Sequence, residues 1–379
     1  MRAVALIDGE HYPPVVRDAL RALPYEWVGA ILVGGSEKLR DGADWGVPLR
    51  EDFGDAEIVV DLSDEPVLGP AARMRWAARA LVAGLAYVGS DFRFDPPRFE
   101  PFELPSIAVI GTGKRVGKTA ISIHLARLLA RDRSVVVVAM GRGGPPEPEL
   151  VLEPPTVAEL VRLASAGRHA ASDHLEVAAL AGVPTVGCRR AGGGLAGAVF
   201  LSNVPAGARL AARLEPDVVV FDGSGAAIPP VAVDRRILVT GPGHDLEAYL
   251  NPYRRLVSDL VVSVGCDVEG AIRADLRLAP LGALCGRVAV FTAGATDISS
   301  LDAEIVHVSP RLADRAALRE ELARVEADTY LVELKAAAID VVADHALAHG
   351  CEVVLARNEV IAPGLDEALL ELAPAEAAA

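Results

Sequence analysis

The residues best suited to chemistry fall in one run, 106–120, which reads SIAVIGTGKRVGKTA. Gly111, Gly113 and Gly117 free the backbone to wrap an anion, and Lys114, Arg115 and Lys118 bring positive charge beside it. The order is a short apolar strand, the Gly-rich loop, Gly-Lys-Thr, and then ISIHLARLLA with apolar residues at helical spacing. That is the layout of a phosphate loop. In this layout Lys118 reaches the β- and γ-phosphates and Thr119 offers its hydroxyl to Mg2+. The loop amides and the helix N-terminus complete the cradle. Thr112, Val116 and Ala120 fill out the expected nucleotide contacts.

The loop is not of the commonest spacing. A G-x-x-x-x-G-K-[ST] loop needs Gly at 112, where this chain has Thr112, and the first Gly sits one residue earlier at Gly111. The longer loop resembles that of dethiobiotin synthetases. The rival is the loop of Min/Par-type partition ATPases, which carries a Lys at the position of Gly113; here Lys114 is one residue late.

A phosphate loop needs a carboxylate on a neighbouring strand to hold the metal. PDVVVFDGSG supplies one: Asp222 ends a four-residue apolar run, Val218 to Phe221. Gly223-Ser224-Gly225 follows and resembles the acid-Gly-Ala-Gly of dethiobiotin synthetases. Three further loops carry candidate ligands. Arg142 lies in GRGGPPEPE after the apolar run SVVVVAM. Arg189 and Arg190 precede three glycines, a pairing suited to phosphate or carboxylate. AGRHAASDH places His169, Asp173 and His174 together, as phosphate ligands, a metal-binding pair or hydrogen-bonded structural histidines.

These loops need a scaffold, and strands alternating with helices predict a mostly parallel α/β sheet. Residues 1–103 read as a first α/β unit, closed by the Pro-rich linker DPPRFEPFELP. Asp8, Glu10, His11, Lys38, Asp61, Asp64 and Glu65 fall at the carboxyl ends of its strands, where parallel sheets place ligands or merely solvated acids. Residues 104–285 form the central P-loop domain. Residues 286–379 form a smaller α/β unit, with a strand passing into a helix near Glu333-Leu334-Lys335.

Composition narrows the classes. The 379 residues are 51% apolar, enough for real cores, and the net charge of −15 argues against nucleic acid as the main partner. No apolar run reaches the roughly 18 residues of a membrane span, and the opening MRAVALIDGEH runs directly into a strand, without the look of a signal peptide. The four cysteines show no C-x-x-C and read as free thiols of a cytoplasmic protein. Only four of the 37 basic residues are Lys, namely Lys38, Lys114, Lys118 and Lys335. In so Arg-biased a chain, a Lys that survives is one whose compact charge is needed. All four are therefore expected to face anionic ligands, with chance survival the alternative for Lys38 and Lys335.

With these segments together, the chain resembles the cyclic 2,3-diphosphoglycerate synthetase family over nearly its full length. The resemblance is carried by LIDGEHYPPVV, VDLSDEPV, IGTGKRVGKTA, VAMGRGGPPEPE, HAASDH, VGCRRAGGG, DGSGAAIPP and ELKAAAIDV. One departure is that the chain is shorter than the family pattern between about Val268 and Gly286. The resemblance implies ATP-dependent closure of a phosphoanhydride between the two phosphates of 2,3-diphosphoglycerate, with ATP and Mg2+, and K+ as a further cation. Lys114, Lys118, Arg142, Arg189 and Arg190 would carry the catalysis. Thr119, Asp222 and Asp173 would hold the metal, and Lys38, His169, His174, Ser224 and Lys335 would meet the substrate. A homo-oligomer, a dimer, is expected. Two other readings stay open: another ATP-dependent ligase or small-molecule kinase on this scaffold, and a non-enzymatic nucleotide switch.

Overall fold

Continuous apolar runs such as VVVVAM and VVVF have no polar face to give to water, so they belong in a parallel sheet covered on both sides. The computed structural model places them there; it describes residues 1–39, 43–294 and 296–374, with the side chain of Lys38 outside what is described. The chain divides into two compact units.

The first unit comprises Met1–Arg98, Gly194–Ala198 and His244–Ser258. Its five-stranded sheet runs Glu26–Leu32, Arg2–Ile7, Ile58–Asp61, Ala86–Val88 and Arg93–Phe94, parallel except for the last pair. The carboxyl-end acids bind one another's surroundings. Asp8 is fully buried and accepts hydrogen bonds from the backbone of Glu10, His11 and Asp64 and from His11 Nδ1. Asp61 accepts from Arg73 Nε at 2.8 Å and from the Tyr87 hydroxyl at 2.6 Å. Asp8 and Asp61 thus spend their carboxylates on groups of this unit itself. The expectation placed on Lys38 rests on a side chain outside the described residues.

The second unit holds the rest of the chain around one 13-stranded sheet. Leu201–Ser202, Thr185–Ala191, Val135–Gly141, Val218–Asp222, Ser106–Gly111, Arg235–Thr240 and Leu260–Val264 make its first half. Ile272–Pro280, Glu352–Ile361, Thr329–Glu333, Arg287–Phe291 and Glu304–Ser309 make the second, and Glu149–Val151 pairs with Thr185–Ala191 off this path. The strand that joins the halves is Ile272–Pro280. It pairs parallel with Leu260–Val264 and antiparallel with Glu352–Ile361. One hydrophobic core runs through both halves, from Ile107 and Ile121 to Tyr330, Leu334 and Leu369. Each large side chain so buried contributes roughly 1.5–3 kcal/mol. The 104–285 and 286–379 segments thus share a sheet and a core; their division into domains at those boundaries stays our proposal.

Candidate active site

The strand Ser106–Gly111 lies between Val218–Asp222 and Arg235–Thr240, so its loop opens at the carboxyl edge of the sheet. Thr112 anchors the loop from below. Its N–H donates to Val239 O at 3.1 Å and its hydroxyl meets Thr240 Oγ1 at 3.1 Å. The Lys118 stem folds back over Gly111, where a Cβ would sit 2.8 Å from Lys118 Cδ and push that stem aside. Gly117, at φ 88°, ends the loop as the residue before the helix Lys118–Leu129. Arg115 takes a left-handed φ of 60° without being glycine, a strained turn at the head of the loop.

Asp222 closes the adjacent strand in register with Val109. Ser122, one turn into the phosphate-loop helix, donates its hydroxyl to Asp222 Oδ1 at 2.8 Å. Burial raises the Asp222 carboxyl to about 6, against the pull of Lys118 and of that hydrogen bond; the nearby Asp173 carboxylate raises it further. Lys118 is itself buried, and burial holds its ammonium below the usual range despite Asp222 and Asp173.

These groups line a cleft of about 710 Å3. Its wall carries Lys114, Arg115, Lys118 and Arg142 from the phosphate-loop half, and Glu333, Lys335 and Asn358 from the other. Three of the chain's four lysines therefore share one cleft. In a chain of net charge −15 this is a locally assembled cation cluster. Asp173 begins the helix Asp173–Ala181 and opens into the cleft, accessible to solvent yet deep within it. Enclosure raises its carboxyl, against the opposing charges of Lys118, Arg142, His169 and Lys335.

The other sequence-derived candidates fall in different places. Ser224 lines the cleft, and Arg190 donates to its carbonyl at 2.8 Å and to its Oγ at 3.3 Å. Arg190 thus braces the loop after Asp222, beside Arg142. Arg189 does not line the cleft; its backbone N–H donates to Asn203 Oδ1 at 2.7 Å. His169 is exposed and lines a side cavity of about 180 Å3 that shares Ala171 and Ala336 with the cleft wall. His174 faces away from the cleft. Its ring packs on Gly187, where a Cβ would sit 2.5 Å from ring Cγ, and its Nδ1 meets Ser172 Oγ at 3.2 Å. Burial lowers it to about 4, so it is a neutral core histidine.

The residues that sequence reasoning left without a role are Ser122, Glu176, Glu333 and Asn358. Glu176 follows Asp173 by three positions on one helix, a spacing that puts both on one face. That periodicity was the available signal. Glu333 and Asn358 reach the cleft only through the pairing of distant strands, which no local pattern encodes.

Thr119, Asp222 and Asp173 offer a hydroxyl and two carboxylates to this cleft. Among the described residues no group of three or more His, Cys, Asp and Glu is assembled as a metal cage. Mg2+ does not require one, since it binds through one or two carboxylates, waters and substrate phosphates. The all-oxygen donor set fits it.

Residues 2–95, 106–277 and 295–359 match family models described as the N-terminal, P-loop and C-terminal domains of cyclic 2,3-diphosphoglycerate synthetase. A protein of that name from Rubrobacter xylanophilus is 48% identical, the match covering 99% of this chain and 98% of the relative. One from Pyrococcus abyssi is 42% identical, with 94% of each covered. One from Methanothermus fervidus is 36% identical, with 98% and 96% covered. Among solved structures, the "apo" form of LpxK from Aquifex aeolicus in complex with ATP matches at a TM-score of 0.45 and 17% identity, covering 73% of this chain and 89% of that one.

Proposed function

The chain belongs to the cyclic 2,3-diphosphoglycerate synthetase family, and from that premise we propose that it uses ATP to close a phosphoanhydride between the two phosphates of 2,3-diphosphoglycerate, releasing ADP and phosphate. The observation that carries this reading is the sharing of one cleft by Lys114, Lys118, Arg142 and Lys335 in an otherwise acidic protein. ATP needs fewer cations. Bringing two further dianionic phosphates together needs more.

Two in-line displacements account for the products. An oxygen of one substrate phosphate attacks the γ-phosphorus, and the bond to ADP breaks. An oxygen of the other substrate phosphate then attacks the first substrate phosphorus, and inorganic phosphate leaves as the P–O–P ring closes. No protein nucleophile is required, because positioning and charge neutralisation carry phosphoryl transfer. Lys118 and the loop amides hold the β- and γ-phosphates. Lys114, alongside Gly225, and Arg142 neutralise charge where the acceptor approaches. Arg190 keeps the Ser224 loop in place behind them. Bound Mg2+, held by Thr119 and Asp222 with Asp173 nearby, would shield the β- and γ-phosphate oxygens. For K+ we propose no site.

Dimer assembly and a cytoplasmic location belong to the same proposal. Free thiols at Cys188, Cys266, Cys285 and Cys351 support a reducing compartment, and no helix of the described residues is long and apolar enough to cross a membrane. Light scattering decides the assembly. The function is tested by ADP release with and without the bisphosphate. Turnover that depends on the acceptor, one ADP per bisphosphate consumed, is expected. Equal ATP hydrolysis in its absence would favour a nucleotide switch.

A further inference from the structure

Two buried carboxyl groups in the cleft have no part in the displacements above. Glu333 ends the strand Thr329–Glu333, and Glu176 lies in the first turn of Asp173–Ala181; each is 6% exposed. Both face Lys335, whose Nζ is 2.7 Å from Glu333 Oε1 and 3.7 Å from Glu176 Oε1. Glu333 is itself held from two sides. Asn358 Nδ2 donates to its Oε1 at 2.8 Å, and the Ala293 N–H donates to its Oε2 at 2.8 Å. Burial works against the charge on Glu333, but Lys335 and these donors outweigh it and keep the carboxylate ionised.

The backbone that presents Lys335 is also unusual. Lys335 N–H turns back to Glu333 O at 2.7 Å, Ala336 adopts a left-handed φ of 48°, and a π-helix, Ala338–Ala343, follows. A non-glycine residue in that region is strained, and such strain collects where a side chain must be aimed. Here the side chain aimed is an ammonium in a cleft. An ammonium has three donors. Among the described residues only Glu333 takes one within hydrogen-bond distance, since Glu176 is too far. Lys335 can therefore accept a phosphate without releasing Glu333.

The two halves of the cleft give the direction. Lys118, from the phosphate-loop helix, belongs to the nucleotide, whereas Lys335 comes from the C-terminal half of the wall, just after the strand Thr329–Glu333. Asp173 lies within electrostatic reach of both.

We propose that Lys335 is the ligand of the substrate phosphate that does not attack ATP, and that Glu333, seated by Asn358 and the Ala293 amide, is the positioning residue that holds the ammonium there. This rests on the function proposed above. It makes Lys335 the residue that selects a bisphosphate, because a monophosphate leaves it with nothing to bind.

The test uses the full chain saturated with a β,γ-methylene analogue of ATP and titrates 2,3-diphosphoglycerate and 3-phosphoglycerate calorimetrically. Lys335→Met should weaken bisphosphate binding at least about tenfold and monophosphate binding less than about twofold. Glu333→Gln should weaken bisphosphate binding about fivefold alone and add nothing in the Lys335→Met background. The KM for ATP should be unchanged in each. If Glu333→Gln does not fold, Asn358→Ala serves in the same cycle. Bisphosphate affinity kept by Lys335→Met, or a Glu333→Gln effect that persists in full without Lys335, overturns the proposal while wild-type turnover leaves the function standing. A wild-type chain that neither binds nor turns over the bisphosphate removes the function and this inference together.

Discussion

Ser122 Oγ donates to Asp222 Oδ1 at 2.8 Å, tying the phosphate-loop helix to the end of the next strand in the buried floor of the cleft. The bond fixes one carboxylate oxygen and leaves the other for a cation. Ser122→Ala should raise the Mg2+ concentration for half-maximal turnover about tenfold, as loss of a partner behind a metal ligand commonly does. A Mg2+ titration with an unchanged midpoint would show that Asp222 is positioned without Ser122.

The two loop lysines should separate kinetically. Lys118→Ala removes the charge on the transferring phosphates and should lower ATP turnover by at least about 100-fold, with circular dichroism unchanged. Lys114→Arg replaces a compact ammonium with a planar guanidinium beside Gly225. Nucleotide affinity should stay within about twofold while ring closure slows about tenfold. Loss of nucleotide binding in Lys114→Arg would place that lysine on ATP instead.

His174 offers a pH test. Its buried ring is held down to about 4 from an ordinary 6.5. A base with a lowered pKa gives stability that is present above 6.5 and lost as pH falls toward 4, here on the order of 3 kcal/mol. Relative to the wild-type chain, His174→Leu should gain stability as pH falls from 6.5 to 4 and leave turnover within about twofold. A collapse of turnover with normal folding would return His174 to the substrate.

Glu176 has the opposite sign. Burial first, with Asp173, Glu333 and Asp222 adding to it and Lys335 opposing, raises its carboxyl to about 8 from 4.5. The native chain then binds one more proton than the unfolded chain between those values. Stability from this group is full below pH 4.5 and is lost as pH rises to 8. Glu176→Gln removes the loss, so at pH 8.5 the variant should be the more stable by on the order of a few kcal/mol. Thermal melts across pH 5 to 8.5 that run parallel for the two chains would contradict this.

The phosphate loop and Asp222 were legible because their chemistry is local: a strand, a Gly-rich turn and a helix in one run, and an acid ending an apolar strand. Lys335 was legible from composition, as one of four lysines among 37 basic residues. Glu333 and Asn358 were not, because strands 329–333 and 352–361 meet by long-range pairing. The strand Ile272–Pro280 went unexpected although IRADLRLA alternates apolar and polar residues as a strand should. Missing it hid the fact that the phosphate-loop half and the C-terminal half share a sheet. Of the three readings open for His174, its surroundings match the hydrogen-bonded structural one. Its neighbours in sequence, His169 and Asp173, open outward, while its own ring turns into the core against Gly187.

The central claim is ring closure, and 31P NMR reads it directly. The purified chain with ATP, Mg2+ and 2,3-diphosphoglycerate should convert the two monoester resonances into a coupled pair in the phosphoanhydride region, with equimolar ADP and inorganic phosphate. The Lys118→Ala chain should leave the monoester resonances unchanged. Persistence of both monoester signals while ATP is consumed by the wild-type chain would contradict the account.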